Sequence, residues 1–267
     1  NKNMGYFIKT IRPDIINGDV SVIIGNQTPT ATDAPFSDKD LVFDWTPIDV
    51  PLRTNCIVDF TAHMYGEDGS TQPGTDFFLY IAKSNNGVAP TSLGTVNVAC
   101  SGCFELPDIL MGIIKLEGSA HRAGKVNMDG MGSTYYYPNM GSANGFHMPV
   151  MIDPEHNGLS GNAVTNRIYI AGIAGGAFDF STGVKPTAQV TTSSNTIAVD
   201  GVDPRKAFRV GDQIYTNTED TPCGTIASMT SSEIVLNANT AVQIEDNEEL
   251  VNAKPITISL TFSSGKY

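Results

Sequence analysis

Apolar residues in this chain recur at every second position, and no segment holds a 3.6-residue period through three turns. A period of two puts alternate side chains on opposite faces of a strand, so it commits a chain to sheets with one face buried. "YFIKTIRPD" opens as such a strand and is stopped by Pro13, and "DVSVII" follows an Asn17-Gly18 turn, a strong hairpin signal. "DLVFDWTPIDVP" sets Val42, Asp44 and Thr46 against Leu41, Phe43 and Trp45, and "NCIVDFTAHMYG" repeats the alternation. "TDFFLYIAKS" continues it after a Gly-rich turn at 66–74, and "NRIYIAGIAGGAFDFSTG" resumes it at 166–183. Glycines in that last run mark a strand that bends or that a neighbour approaches closely. The best helix candidate is 107–116, with Pro107 at a first helical position, but "ILMGIIKL" fits a strand equally well. The expected fold class is all-β: a β-sandwich or jelly-roll-like main domain carrying an inserted small β-barrel.

The barrel is expected at 187–254, where "AQVTT", "TIAV", "DQIYT", "GTIASM" and "EIVLN" read as five short strands closed by the acidic "IEDNEELVN". "PITISLTF" after it places Ile256, Ile258, Leu260 and Phe262 on one face and Thr257, Ser259 and Thr261 on the other. That regularity suits a strand returning to the first sheet, so residues 1–186 form a main domain completed by 255–267. Insertions of this kind are tolerated where two chain ends lie close at a surface.

Between Glu117 and Pro149 the alternation breaks into a Gly-, Asn-, Met- and Tyr-rich stretch. Structureless loops beyond about 12–15 residues are uncommon in compact domains, and aromatics are depleted in disorder but enriched at interfaces. Two readings stand side by side: a loop folded back on its own domain, or an arm wrapping a neighbouring subunit. The second makes Tyr135, Tyr136, Tyr137, Met140 and Phe146 the candidate subunit-interface residues.

Formal net charge is −12, from 16 basic and 28 acidic residues. No basic patch is gathered for phosphates, so nucleic acid is not expected as a partner. The longest apolar runs, such as "ILMGII", fall short of the roughly 18 residues a membrane helix needs, so no membrane partner is expected. No signal peptide is visible, and the first residue is Asn1 and not Met, which leaves room for N-terminal processing. No catalytic group and no cofactor are expected. His63 and Glu67 sit on a strand entering a turn and need not converge, and Asp153, Glu155 and His156 share a tight turn that an Asx-type turn explains more simply than a bound cation. "GSAHRAGKV" has the wrong spacing for a phosphate loop, and no nucleophile-elbow, zincin or dinucleotide motif is present. Cys56, Cys100, Cys103 and Cys223 are expected to be reduced and metal-free, with a local disulfide or a metal site as the lesser alternatives, because a redox C-x-x-C wants a helix that Pro107 opposes, and zinc wants a second ligand pair.

"YFIKTIRPDIINGDV", "VFDWTPIDVP", "KSNNGVAPTSLGTVN" and "IYIAGIAGGAFDF" together resemble virion structural proteins of tailed phages infecting marine cyanobacteria and similar bacteria, over residues 4–181. The 187–254 unit, with its F-x-V-G-D opening at 208–212, resembles small β-barrel modules of phage head and tail proteins. The resemblance implies a non-enzymatic virion component that decorates the capsid. Repulsion between a net charge of −12 and packaged DNA makes the capsid exterior the expected location. The threefold sites of an icosahedral shell make a homotrimer on the major capsid protein the expected form, and the scattered cysteines suit assembly in the reducing host cytoplasm. It carries over no catalytic or binding residues. A receptor- or glycan-binding fibre or tail module is the alternative class of role.

Overall fold

The computed structural model describes residues 5–16, 36–52, 54–65, 76–102, 108–116, 125–128, 133–136, 150–156, 165–177 and 179–264. Among them the regular structure is β, apart from one 3-10 turn at Pro204–Lys206. Every strand pair is antiparallel. The expected strand "DVSVII" and its Asn17-Gly18 turn lie outside the described residues.

Two sheets form a sandwich. In the first, β1 (Gly5–Ile11) pairs with β17 (Ile256–Ser264), β17 with β3 (Thr54–Tyr65), and β3 with β7 (Ser133–Tyr136), which forms a hairpin with β6 (Lys125–Met128); β8 (Val150–Met151) adds to β3. The second sheet runs β2 (Leu41–Pro51), β10 (Thr165–Gly175), β4 (Asp76–Lys83), β5 (Leu110–Leu116), with β9 (Glu155–His156) on β10. The ambiguous run at 107–116 is therefore a strand from Leu110. Alternation decides what lies between the sheets. Ile256, Ile258, Leu260 and Phe262 are all buried in the core, meeting Ile57, Ala62 and Met64 of β3 and Val50, Leu79, Ile81 and Ile168 of the facing sheet. Each of the four contributes about 1.5–3 kcal/mol of hydrophobic driving force. Phe7 of β1 lies opposite Phe262 and stacks on it, with ring centroids 5.1 Å apart.

Two irregularities keep these faces in phase. In β3, Phe262 pairs with Ile57 but Thr261 pairs with Asp59, so Val58 is an extra residue. This bulge lets Ile57, Phe60, Ala62 and Met64 all face the core, although their spacing breaks strict alternation. In β10, Gly172 lies opposite Phe43, and a β-carbon there would stand 2.3 Å from Phe43 and 2.6 Å from Phe77. The missing side chain is what allows those two rings to meet, at 6.3 Å between centroids. The other face of the second sheet is buried as well: Leu41, Ala171 and Ile173 pack with Leu93 from the β4–β5 excursion and with Trp45, Phe78 and Tyr80.

Residues 184–252 build a third, six-stranded sheet in the order β11 (Val184–Pro186), β12 (Thr196–Gly201), β15 (Glu233–Leu236), β14 (Gly224–Met229), β13 (Gln213–Thr216), β16 (Leu250–Asn252). It curls into a nearly closed barrel around Val184, Ile197, Phe208, Ile214, Cys223, Ile226, Ile234 and Leu250. Glu249 draws the two edge strands together, since its Oε1 accepts from the N–H groups of Thr182 (2.6 Å) and Gly183 (3.1 Å), while Thr182 Oγ1 donates to Leu250 O. Four of the five expected strands are present. "AQVTT" is not one of them: Val190 makes only an isolated bridge with Ile244, and the outer strands are 184–186 and 250–252 instead. β11 carries Pro186, which cannot donate a ladder bond and belongs at an edge.

Candidate functional site

The F-x-V-G-D segment sits where barrel and sandwich meet. Phe208 fills the barrel core, and Gly211 takes φ +92°, a left-handed conformation that a side chain would strain. The turn closes through Asp212 N donating to Arg209 O at 3.0 Å. This delivers the Asp212 carboxylate to Arg12, which leaves β1 two hundred residues earlier in sequence. The guanidinium engages it through both terminal nitrogens: Nη1 donates to Oδ1, and Nη2 to Oδ2 at 2.8 Å. Oδ2 also accepts from Arg209 N (2.9 Å) and Asn252 Nδ2 (3.1 Å), while Arg12 Nη2 donates to Lys254 O (2.9 Å). The Asp212 side chain is 4% exposed and that of Arg12 19%, so this pair is screened far less than a surface ion pair.

Apolar contact completes the joint. β13 and β16 are neighbours, and their alternate residues face two cores: Ile214 and Leu250 enter the barrel, whereas Tyr215 and Val251, directly opposite each other, join the sandwich core with Ala253. Ile15 N donates to Ala253 O at 3.0 Å. His63, buried on β3, feels the joint. Its pKa is lowered to about 4, first by burial and then by the charges of Arg209 and Arg12, so the ring is neutral at ordinary pH.

The other groups singled out in the sequence serve as fasteners. Glu155 Oε2 accepts from Ser84 Oγ (2.8 Å) and Gly87 N (3.0 Å). Burial pushes its carboxyl up, but the N–H groups of Gly87 and Asn86 and the Ser84 hydroxyl hold it below its ordinary value. Asp153 is exposed, with its N–H directed at Met111 Sδ (3.3 Å). Among the described residues no three His, Cys, Asp or Glu gather to hold a metal ion. Tyr135 and Tyr136 lie on β7, opposite His63 and Ala62 of β3, so this part of the 117–149 stretch pairs within its own chain. Tyr137, Met140 and Phe146 lie outside the described residues, as does Glu67.

The cysteine expectation is corrected. Cys100 is disulfide-bonded, while Cys56 and Cys223 are reduced and buried. Cys103 lies outside the described residues. A local disulfide is the lesser of the readings that the C-x-x-C spacing allows. Cys100 belongs to a loop held by main-chain bonds: Cys100 N donates to Lys39 O at 2.9 Å and Gly102 N to Leu93 O at 3.3 Å. Cys223, inside the barrel, has its thiol pKa raised to about 12, chiefly by burial.

The β4–β5 excursion also forms a cleft of about 520 Å³. One wall begins with a two-residue turn, Asn86 at φ +52° and Gly87 at +78°, closed by paired bonds between Asn85 and Val88 (2.9 and 3.0 Å). Both left-handed residues suit an Asn-Gly pair, and Glu155 ties the turn to β9. The wall continues through Thr91, whose carbonyl accepts from Trp45 Nε1 (2.9 Å), and Leu93, whose N–H donates to Asp44 Oδ1 (3.1 Å). Gly102, Asp108 and Ile109 complete the described lining, and Ile109 O accepts from Lys83 N at 2.9 Å. The sequence offered one signal for this site, the Asn86-Gly87 pair. Comparison with protein-family models, curated proteins and solved structures finds no match to this chain.

Proposed function

We propose that this chain is a non-enzymatic structural protein of a tailed-phage virion, a decoration or cement protein held as a homotrimer on the outer face of the head by the major capsid protein. The observation that carries the reading is where its charged chemistry goes. The carboxylates of Asp212, Glu155, Glu249 and Asp44 take up main-chain N–H groups and, at Asp212, a guanidinium, and so lock strands, turns and the barrel joint. The barrel thereby adds surface in a fixed orientation. Net charge −12 favours the outside of a DNA-filled shell. On β1, at the end of its sheet, Tyr6 and Ile8 stand 62% and 66% exposed and offer apolar contact. Tyr135, Tyr136, Tyr137, Met140 and Phe146 are the proposed contacts with neighbouring copies. Three weak attachments at a threefold site combine through effective concentration.

The reading is tested by adding purified protein to heads stripped of accessory proteins and sedimenting them. Saturable binding in multiples of three copies, with the heads gaining resistance to heat, is the expected result. Protein that stays in the supernatant at every concentration overturns the proposal.

A further inference from the structure

We propose that the cleft between Asn85–Ser92 and Asp108 is a binding site for a neutral saccharide. Its polar lining is Asn85, Asn86, Thr91, Ser92 and Asp108. Asn86 Nδ2 donates to Asn85 Oδ1 at 3.2 Å, which orients the two amides and leaves the Asn85 nitrogen as donor and the Asn86 oxygen as acceptor; with hydroxyls that take either role and a carboxylate that accepts, this set can meet vicinal sugar hydroxyls. Val88, Pro90 and Ile109 supply aliphatic surface for the C–H face of a ring. No Lys or Arg lines the cleft among the described residues, and Asp108 would repel an anion, so phosphorylated, sulfated and sialylated ligands are disfavoured. The volume falls within the ~300–1,000 Å³ range of small-ligand sites. The Asn85–Leu93 wall is set before a ligand arrives, because Glu155, Trp45 and Asp44 each fix a different point of it. A preformed site spares the ligand the cost of ordering loops. The inference does not depend on the virion reading, since it concerns a cleft lined by the β4–β5 excursion.

The experiment uses the full chain on an array of neutral, sialylated and sulfated glycans, alongside the double variant Asp108→Ala, Thr91→Val. Both changes leave the main-chain contacts of the walls in place. Wild type is expected to retain neutral glycans, and the variant to retain them at least tenfold less while melting at the same temperature. For a retained glycan, an amide NMR titration of wild type should shift the Asn85 and Asn86 side-chain resonances first. The proposal is overturned if no neutral glycan is retained, if only acidic glycans are, or if the variant binds as well as wild type. If the variant melts lower, the NMR titration decides: shifts at Asn85 and Asn86 support the site, and shifts elsewhere overturn it. Head binding of the variant, measured separately, should be unchanged.

Discussion

Replacing Asp212 with Asn keeps the size and shape of the side chain and removes only its charge and half of its accepting capacity. Four hydrogen bonds converge on that carboxylate: two from Arg12, one from Arg209 N and one from Asn252. An amide has one oxygen, so whichever way it turns, its NH2 faces a donor. Arg12 is left without its anion while its side chain remains four-fifths buried. Removing one partner of a buried pair costs about 3–5 kcal/mol, and the partial exposure of Arg12 puts the expected loss near the lower figure, ~3 kcal/mol. In a chain of this size that lowers Tm by about 6–12 °C. Urea unfolding at neutral pH should give the free energy directly, and hydrogen exchange should locate the loosening at β16 and Ile15. Arg12→Met and the double variant complete a cycle, in which a coupling energy of about 0.5–3 kcal/mol is expected for a true pair. A coupling indistinguishable from zero, or a loss below ~1 kcal/mol as at an exposed pair, would refute the joint as described.

Gly172→Ala forces a methyl into the rings of Phe43 and Phe77 and should destabilise by about 1–3 kcal/mol, read from the urea midpoint; a neutral effect would show that the rings are loosely held. His63 is neutral in the fold with a pKa of about 4, against 6.5 unfolded. As pH falls through 6.5 the unfolded chain takes the proton first, so roughly 3 kcal/mol of stability is full above pH 6.5 and lost by pH 4. In His63→Asn that part of the acid slope should vanish, and an unchanged slope would assign it elsewhere. Thiol titration in denaturant without reductant should count two thiols, and four would contradict the Cys100 disulfide. Expressed alone, residues 184–254 should give dispersed amide signals if the barrel core suffices, although exposing Tyr215 and Val251 will cost it stability; a random-coil spectrum would make the sandwich a condition of its folding.

Much of the architecture was legible because alternation is a local signal. The face carrying Ile256, Ile258, Leu260 and Phe262 could be read outright, as could four barrel strands. The bulge at Val58 could not, since it exists only relative to the pairing of β3 with β17. "AQVTT" alternates well enough for a strand, yet ladder bonds depend on a partner, and Val190 finds one only at Ile244. The joint was hidden for the same reason. F-x-V-G-D announces a turn, but nothing near residue 212 points to an arginine two hundred positions away, and the burial of "IYT" and "LVN" on both faces makes sense only once two cores are known. The disulfide was discounted because its alternatives were framed around helices and metal clusters, while the loop that holds Cys100 is set by contacts with Lys39 and Leu93. The cleft is the collective product of β9, β2 and the excursion, of which only the Asn86-Gly87 turn is written locally.

The proposed placement of this protein on a phage head is tested most directly by a cryo-EM map of native particles at a resolution that separates strands. The account predicts a two-lobed β density, sandwich plus barrel, repeated around threefold and quasi-threefold positions on the outer capsid surface. Finding that density on the tail, inside the shell or nowhere on the particle would contradict it.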